Sequence, residues 1–139
     1  MANPAPEGAS LARRVLIVDD EDAICHALTV LFRRAGYAVQ TARTASAAKD
    51  LLATESVDCL VIDYRIPDLR GDVLFAYAVT VQPHLEGHAI FLTGDVTDRT
   101  RDAIADTGCP LLLKPFDNSQ LLNLVASCFE QQRERQRPS

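Results

Sequence analysis

The chain has 139 residues, enough to bury roughly two thirds of its unfolded surface around one core without a disulfide or metal scaffold. Its 47% apolar and 24% charged residues are the make-up of a folded globular domain and exclude a disordered or low-complexity chain. Fourteen basic against nineteen acidic residues leave a net charge of −5, the wrong sign for gripping nucleic acid phosphates or an anionic membrane by bulk electrostatics.

Residues 1–12 (MANPAPEGASLA) carry two prolines and a glycine with no periodic apolar face, and read as a flexible lead. Arg13-Arg14 is not followed by the apolar segment an export signal needs, and no apolar run approaches the roughly 20 residues of a membrane span. Cys25, Cys59, Cys109 and Cys128 form no C-x-x-C pair, and two lie inside apolar runs, so they read as buried thiols of a cytosolic protein.

Val15 to Val18 is a β-branched apolar run that stops abruptly at Asp19, Asp20, Glu21 and Asp22, the pattern of a strand buried on both faces. Ile24, Leu28, Leu31 and Phe32 then recur at helical spacing, with acids suited to the helix start and Gly36 as its stop. Tyr37 to Thr41 predicts a second strand. Ala45, Ala48, Leu51 and Leu52 predict a second helix capped by Thr44. Val57 to Ile62 predicts a third strand ending in Asp63. Pro67 and Gly71 bracket a loop before a helix carrying Val73, Leu74, Tyr77 and Val81, which Pro83 ends.

Ala89 to Leu92 predicts a fourth strand ending in Thr93, and Ile104 and Ala105 mark a helix closed by Gly108. Leu111 to Leu113 predicts a fifth strand ending in Lys114. In the last helix Asp117 and Gln120 fit a capping box and Leu121, Leu122, Leu124, Val125 and Phe129 form the apolar stripe, before the polar tail 131–139. Strict alternation of strand and helix predicts an α/β domain over 13–130 with a parallel sheet covered by helices on both faces.

Ligands of an open parallel sheet gather outside the carboxyl ends of its strands. The residues just past those ends are Asp19 and Asp20, Asp63, Thr93 and Lys114: three carboxylates, a hydroxyl and an ammonium. At an effective dielectric near 20, carboxylates about 5 Å apart repel by roughly 3 kcal/mol per pair, so the three call for a cation. Oxygen-only donors favour Mg²⁺ over a soft metal. Asp20 and Asp63 are expected as direct ligands, with Asp19 acting mainly through water. The chain's only lysines are Lys49 and Lys114, which makes a lysine inside LLLKPF notable.

The segments VLIVDDE, VIDYRIPDLRG, FLTGD and LLLKPF, in that order, resemble the response regulator receiver domain of two-component signalling over residues 13 to about 130. The resemblance implies a flavodoxin-like five-stranded sheet of order 2-1-3-4-5. It also implies that Asp63 accepts a phosphoryl group from a histidine kinase or histidine phosphotransfer protein, which makes the domain a signalling phosphoacceptor and not an enzyme acting on other substrates. A carboxylate already ionised needs no general base, so His26, His84 and His88 are not required. By the same resemblance the backbone carbonyl of Arg65 adds a metal ligand, and Lys114 counters the phosphoryl charge from a cis Lys114-Pro115 bond. Thr93 and Gly94 are then expected to draw inward on phosphorylation and to shift the surface from residue 94 to about 120. The last helix and its neighbours become a possible homodimer surface.

One position departs from the family: Leu111 stands where an aromatic switch residue is common. Arg65 and Asp95 border the expected phosphoryl position with opposite charges, and are expected to pair and to set the lifetime of an acyl phosphate. Other readings fit less well. A flavoprotein of this topology needs a phosphate-wrapping loop where DDED stands, and an aspartyl-phosphate hydrolase needs a second Asp at the place of Arg65. A receiver serving as an interaction module with little switching is the alternative that Leu111 favours. The domain fits a free-standing regulator or a part of a hybrid kinase or transcription regulator.

Overall fold

The computed structural model describes residues 12–136 apart from Val96. The lead expected at 1–12 lies, Ala12 excepted, outside the described residues, as do 137–139 of the expected tail. The main sheet and its helices alternate as β1 Arg14–Val18, α1 Asp22–Arg34, β2 Ala38–Ala42, α2 Ala45–Thr54, β3 Cys59–Asp63, α3 Gly71–Val81, β4 Ala89–Thr93, α4 Asp98–Ala105, β5 Leu111–Leu113 and α5 Asn118–Gln136. All five strands are parallel, in the order β2-β1-β3-β4-β5, as the resemblance implies.

The apolar runs are continuous because each central strand feeds two cores. Leu16, Val18, Leu60, Ile62, Ala89 and Phe91 face a layer that includes Ala48, Leu52, Leu74, Phe75 and Ile104. Their sequence neighbours Val15, Ile17, Val61, Ile90 and Leu92 face Leu28, Phe32, Leu121 and Val125 of α1 and α5. Burying each such large side chain is worth about 1.5–3 kcal/mol, so slipping one strand by a residue would exchange its contacts in both layers.

Several helix ends follow the expected chemistry. Thr44 Oγ1 accepts a hydrogen bond from the Ala47 N–H at 3.0 Å, capping α2. Gln120 Oε1 reaches back to the Asp117 N–H at 3.4 Å, half of the expected capping box. Gly36 and Gly108, just beyond α1 and α4, have φ of 98° and 75°, the left-handed region where a Cβ is costly.

Other boundaries differ for physical reasons. Tyr37 precedes β2: its N–H donates to the Phe32 carbonyl at 3.1 Å instead of to the ladder, and its ring packs on Phe32 and Phe129 with centroids 6.0 and 5.6 Å away. Val73 and Val81, expected on the apolar face of α3, are exposed, while Leu74, Phe75 and Ala78 face the core. Gly71 sets that rotation. A Cβ there would lie 2.9 Å from the Asp63 carbonyl oxygen and from Tyr64 Cα, so the first turn of α3 rests on the backbone of β3's end, and positions three, four and seven residues on turn inward. Around the expected 67–71 loop the chain forms a short antiparallel ladder pairing Arg65–Ile66 with Leu69–Arg70. The backbone of α5 stays helical through Gln136, six residues into the segment expected as a polar tail, where Gln, Arg and Glu favour helix. No helix among the described residues is long and apolar enough to cross a membrane.

Candidate functional site

Each strand-end residue is aimed by the ladder it leaves. Asp19 follows β1 and donates its N–H to the Ala42 carbonyl at 3.1 Å. Asp63 is the last residue of β3, in register with Leu92, and the next N–H, of Tyr64, donates to the Leu92 carbonyl at 2.8 Å. Thr93 closes β4 in register with Leu113, and the Lys114 N–H donates to its carbonyl at 2.8 Å. Asp19, Asp63, Thr93 and Lys114 therefore reach one edge of the sheet with the backbone behind them fixed.

Carboxylate oxygens of Asp19, Asp20 and Asp63 all lie within 4.8 Å of one another. Asp19 is fully buried, Asp63 is buried, and Asp20 is exposed at the rim. Lys114 Nζ donates to Asp19 Oδ2 at 3.0 Å and to Asp63 Oδ2 at 3.1 Å, and lies 3.6 Å from Glu21 Oε1. The other oxygens of the two buried carboxylates are also held: Asp19 Oδ1 accepts from the Glu21 N–H at 2.9 Å, and Asp63 Oδ1 from the Arg65 N–H at 3.1 Å. Two buried negative charges thus share one ammonium and two backbone donors, with the third carboxylate at the mouth.

Burial pushes the Asp63 carboxyl above its ordinary range and the Asp19 charge adds to this, while the Arg65 N–H and Lys114 pull it back without cancelling the rise. For Lys114, burial disfavours the ammonium, but hydrogen bonds to Asp19 and Asp63 and their charges outweigh it and raise the pKa. The donor set is oxygen alone, with room for one small cation between three carboxylates, and it suits a hard divalent ion.

Thr93 is buried, and its Oγ1 accepts from the Asp95 N–H at 3.0 Å. Gly94 is exposed, with open space where a Cβ would stand. The Lys114-Pro115 bond is cis, as the resemblance implies. Leu111 is half-buried opposite Phe91 and packs on the core layer of Phe75 and Ile104.

Arg65 and Asp95, expected to pair, form an ion pair through Arg65 Nη2 and Asp95 Oδ2. Asp95 is more than a partner for Arg65. Its Oδ1 accepts from the Thr97 N–H at 2.9 Å and its Oδ2 from the Thr100 hydroxyl at 2.9 Å, joining the pair to the first turn of α4. Arg65, then these donors, hold the Asp95 carboxyl far below the usual carboxylate range. Thr97 Oγ1 in turn accepts from the Thr100 N–H at 3.4 Å, capping α4, and neither threonine was singled out from the sequence.

Asp68 is a second residue that sequence reasoning missed. Its carboxylate accepts from the Ala45 and Ser46 N–H groups at 2.8 and 3.0 Å, so the loop after Asp63 caps the start of α2 alongside Thr44. An acid two residues before a charged turn gives no hint that its partners lie 22 and 23 residues back.

Residues 15–126 match the family model of the response regulator receiver domain. The response regulator protein FleR of Pseudomonas aeruginosa is 32% identical over 116 residues, covering 84% of this chain and 24% of that protein. Nodulation protein W of Bradyrhizobium diazoefficiens is 30% identical over 129 residues, 91% of this chain and 56% of that protein. The chain thus spans about a quarter to about half of these curated relatives. A CheY-like response regulator receiver domain protein from Methanospirillum hungatei, solved by crystallography, superposes with a TM-score of 0.80 at 26% identity, covering 88% of this chain and 98% of that one. The strand order and the family match agree, and this chain belongs to the response regulator receiver domain family.

Proposed function

We propose that this domain takes a phosphoryl group onto Asp63 from the phosphohistidine of a histidine kinase or a histidine phosphotransfer protein, and answers by shifting the surface between residues 94 and 120. The observation that carries this is the placement of the Asp63 carboxylate at one strand end, 3.1 Å from Lys114 Nζ and within 4.8 Å of Asp19 and Asp20 oxygens. Asp63 attacks phosphorus with a carboxylate oxygen, the donor's imidazole leaves, and an acyl phosphate forms; an ionised carboxylate needs no base for this. Lys114, now tied to two carboxylates, turns one of its hydrogens to the new phosphoryl oxygens. Thr93 donates its hydroxyl to the same group, carrying Gly94 with it.

Asp20, Asp63 and the carbonyl of Arg65 would hold Mg²⁺, with Asp19 behind them. That ion, when bound, supplies charge neutralisation for the attacking and transferred oxygens. Receiver domains are signalling modules that meet histidine kinases. Residues 13–130 form the receiver unit in this proposal, with 1–12 and 131–139 as lead and tail, and the cytosol, where phosphohistidine is made from ATP, is its compartment. No direct contact with nucleic acid or membrane is part of the proposal, and a homodimer through α5 and its neighbours is compatible with it.

Incubation with Mg²⁺ and acetyl phosphate is expected to add one hydroxylamine-labile phosphoryl group to the wild type and none to Asp63→Asn, read by intact mass. Equal labelling of both proteins, or of neither, would refute the assignment. Leu111 favours a second function, an interaction module with weak switching. A beryllium fluoride complex that leaves the amide signals of 94–120 unmoved, while Asp63 still labels, would select it.

The bridge of Arg65 and Asp95 covers the expected approach of water to the acyl phosphate. Arg65→Ala and Asp95→Ala are each expected to change the dephosphorylation half-life several-fold, because either removes the pair. Unchanged half-lives in both would reduce the pair to two solvated loop charges.

A further inference from the structure

Helix α4 meets the rest of the fold through few side chains. Of its eight residues only Thr100 and Ile104 are buried, one turn apart on the same face. Ile104 belongs to the core layer of Phe75 and Phe91. Thr100 stands where that stripe calls for a second apolar side chain, and brings a hydroxyl instead. A hydroxyl buried without a partner costs free energy, so the partner it is given matters.

That partner is Asp95, whose Oδ2 accepts from the Thr100 hydroxyl at 2.9 Å. Thr100 has one hydroxyl proton to give. The Thr97 hydroxyl, 3.2 Å away, donates to the Thr100 oxygen and keeps that proton turned to Asp95. On the other carboxylate oxygen the Thr97 N–H donates at 2.9 Å, and the Asp95 N–H donates to Thr93 Oγ1 at 3.0 Å. The Asp95 carboxylate is therefore fixed from the α4 side and its backbone from the Thr93 side.

Arg65 comes from the other direction, out of the loop that follows the phosphoacceptor. Its side chain is 66% exposed against 11% for Asp95, and an exposed guanidinium gains little from such a pair by itself. Arg65 stands where the Asp95 carboxylate is, and the carboxylate stands where Thr97 and Thr100 hold it.

Resting on the reading of Asp63 as phosphoacceptor and of the Arg65 and Asp95 pair as its cover, we infer that Thr100 is a positioning residue for the phosphoryl site. Its hydroxyl, anchored to the core by α4, fixes the Asp95 carboxylate and with it the Arg65 guanidinium, and so sets how fast water hydrolyses the acyl phosphate. In that hydrolysis water attacks phosphorus and the bond from phosphorus to the Asp63 oxygen breaks. Orthophosphate departs with the water's hydrogens, and the Asp63 carboxylate is restored. Thr100 touches none of these atoms and acts through where Asp95 and Arg65 stand. Helix α4 thereby gains a hold on the lifetime of the phosphoryl group through one buried hydroxyl.

The full chain would be labelled with acetyl phosphate and Mg²⁺, freed of donor, and followed by intact mass for its dephosphorylation half-life. Thr100→Val keeps the side chain's shape and removes the hydroxyl. Its half-life is expected to shift about three-fold or more, in the same direction as that of Asp95→Ala. Thr100→Ser restores the wild-type half-life. Thr100→Val combined with Asp95→Ala matches Asp95→Ala alone, because Thr100 then has nothing left to position. Thr107→Val is the control: that hydroxyl donates to the Ile104 carbonyl at the far end of α4, and the half-life stays at the wild-type value. Thr100→Ala, with a better helix former at the same place, is expected to show the same shift and decides the matter where the valine variant folds poorly. An unchanged half-life on loss of the Thr100 hydroxyl, an equal change in Thr107→Val, or additive effects in the double variant each overturns the positioning role and leaves the phosphorylation of Asp63 standing. Absence of label on the wild type overturns the reading of Asp63 itself, and this role falls with it.

Discussion

Replacing Lys114 by methionine is expected to lower the free energy of unfolding at neutral pH by about 2–3 kcal/mol in metal-free buffer, below the full cost of breaking a buried pair because Lys114 is partly exposed. The ammonium is the cation nearest Asp19 and Asp63, 3.0 and 3.1 Å away, and its side chain is 19% exposed against 0% and 9% for theirs. Without it, two buried carboxylates keep one backbone donor each and repel across the gap. The pH dependence has a definite sign. Lys114 has a folded-state pKa raised above its ordinary value, so its contribution is complete below about pH 10 and lost as pH rises through the folded value. Asp63 is also raised in the fold, so its share of stability is present below about pH 4 and lost as pH rises through its folded value. Removing Lys114 lifts Asp63 further and relieves the variant in acid. The gap between wild type and Lys114→Met is therefore widest near neutrality and narrows at both extremes, a profile that urea unfolding across pH checks. A gap that does not vary with pH would mean that lost packing, not lost charge, is what the substitution removes.

The parts of this architecture that local chemistry controls were legible in the chain. A strand buried on both faces has to be a continuous apolar run, and VLIV followed at once by four acids marks both β1 and its carboxyl end. Once the sheet is parallel, every strand-end residue shares one edge, so Asp19, Asp20, Asp63, Thr93 and Lys114 could be gathered without coordinates. What stayed hidden depends on contacts between distant segments. Gly71 looked like a loop residue, yet its missing side chain lets α3 rest on the backbone of 63 and 64. Val73 and Val81 fit a helical stripe, but the rotation fixed by Gly71 turns Leu74 and Ala78 inward instead. Asp68 capping α2 and Thr100 binding Asp95 are likewise juxtapositions that no periodicity announces.

Asp20→Asn is expected to separate metal binding from stability. Asp19 grips Lys114 with one oxygen and the Glu21 N–H with the other, and is fully buried, so Asp19→Asn disturbs the fold and the cation site together. Asp20 is exposed, and Lys114 hydrogen-bonds to Asp19 and Asp63 in its place. Removing its charge relieves repulsion toward two carboxylates within 4.8 Å, so metal-free stability should hold within about 0.5 kcal/mol or rise slightly. Mg²⁺ affinity should fall at least about 100-fold, since a direct carboxylate ligand is lost where even supporting groups are worth 10–100-fold. The two effects combine in one measurement. At a Mg²⁺ concentration about 100 times the wild-type dissociation constant, the wild type gains about 2.7 kcal/mol from binding, and a 100-fold weaker variant gains about 0.4 kcal/mol. Calorimetric titration with Mg²⁺, paired with urea unfolding in its presence and absence, reads both numbers without any phosphodonor. Equal Mg²⁺ stabilisation of the two proteins would remove Asp20 from the ligand set and leave Asp63 and Asp19 as the carboxylates that hold the ion.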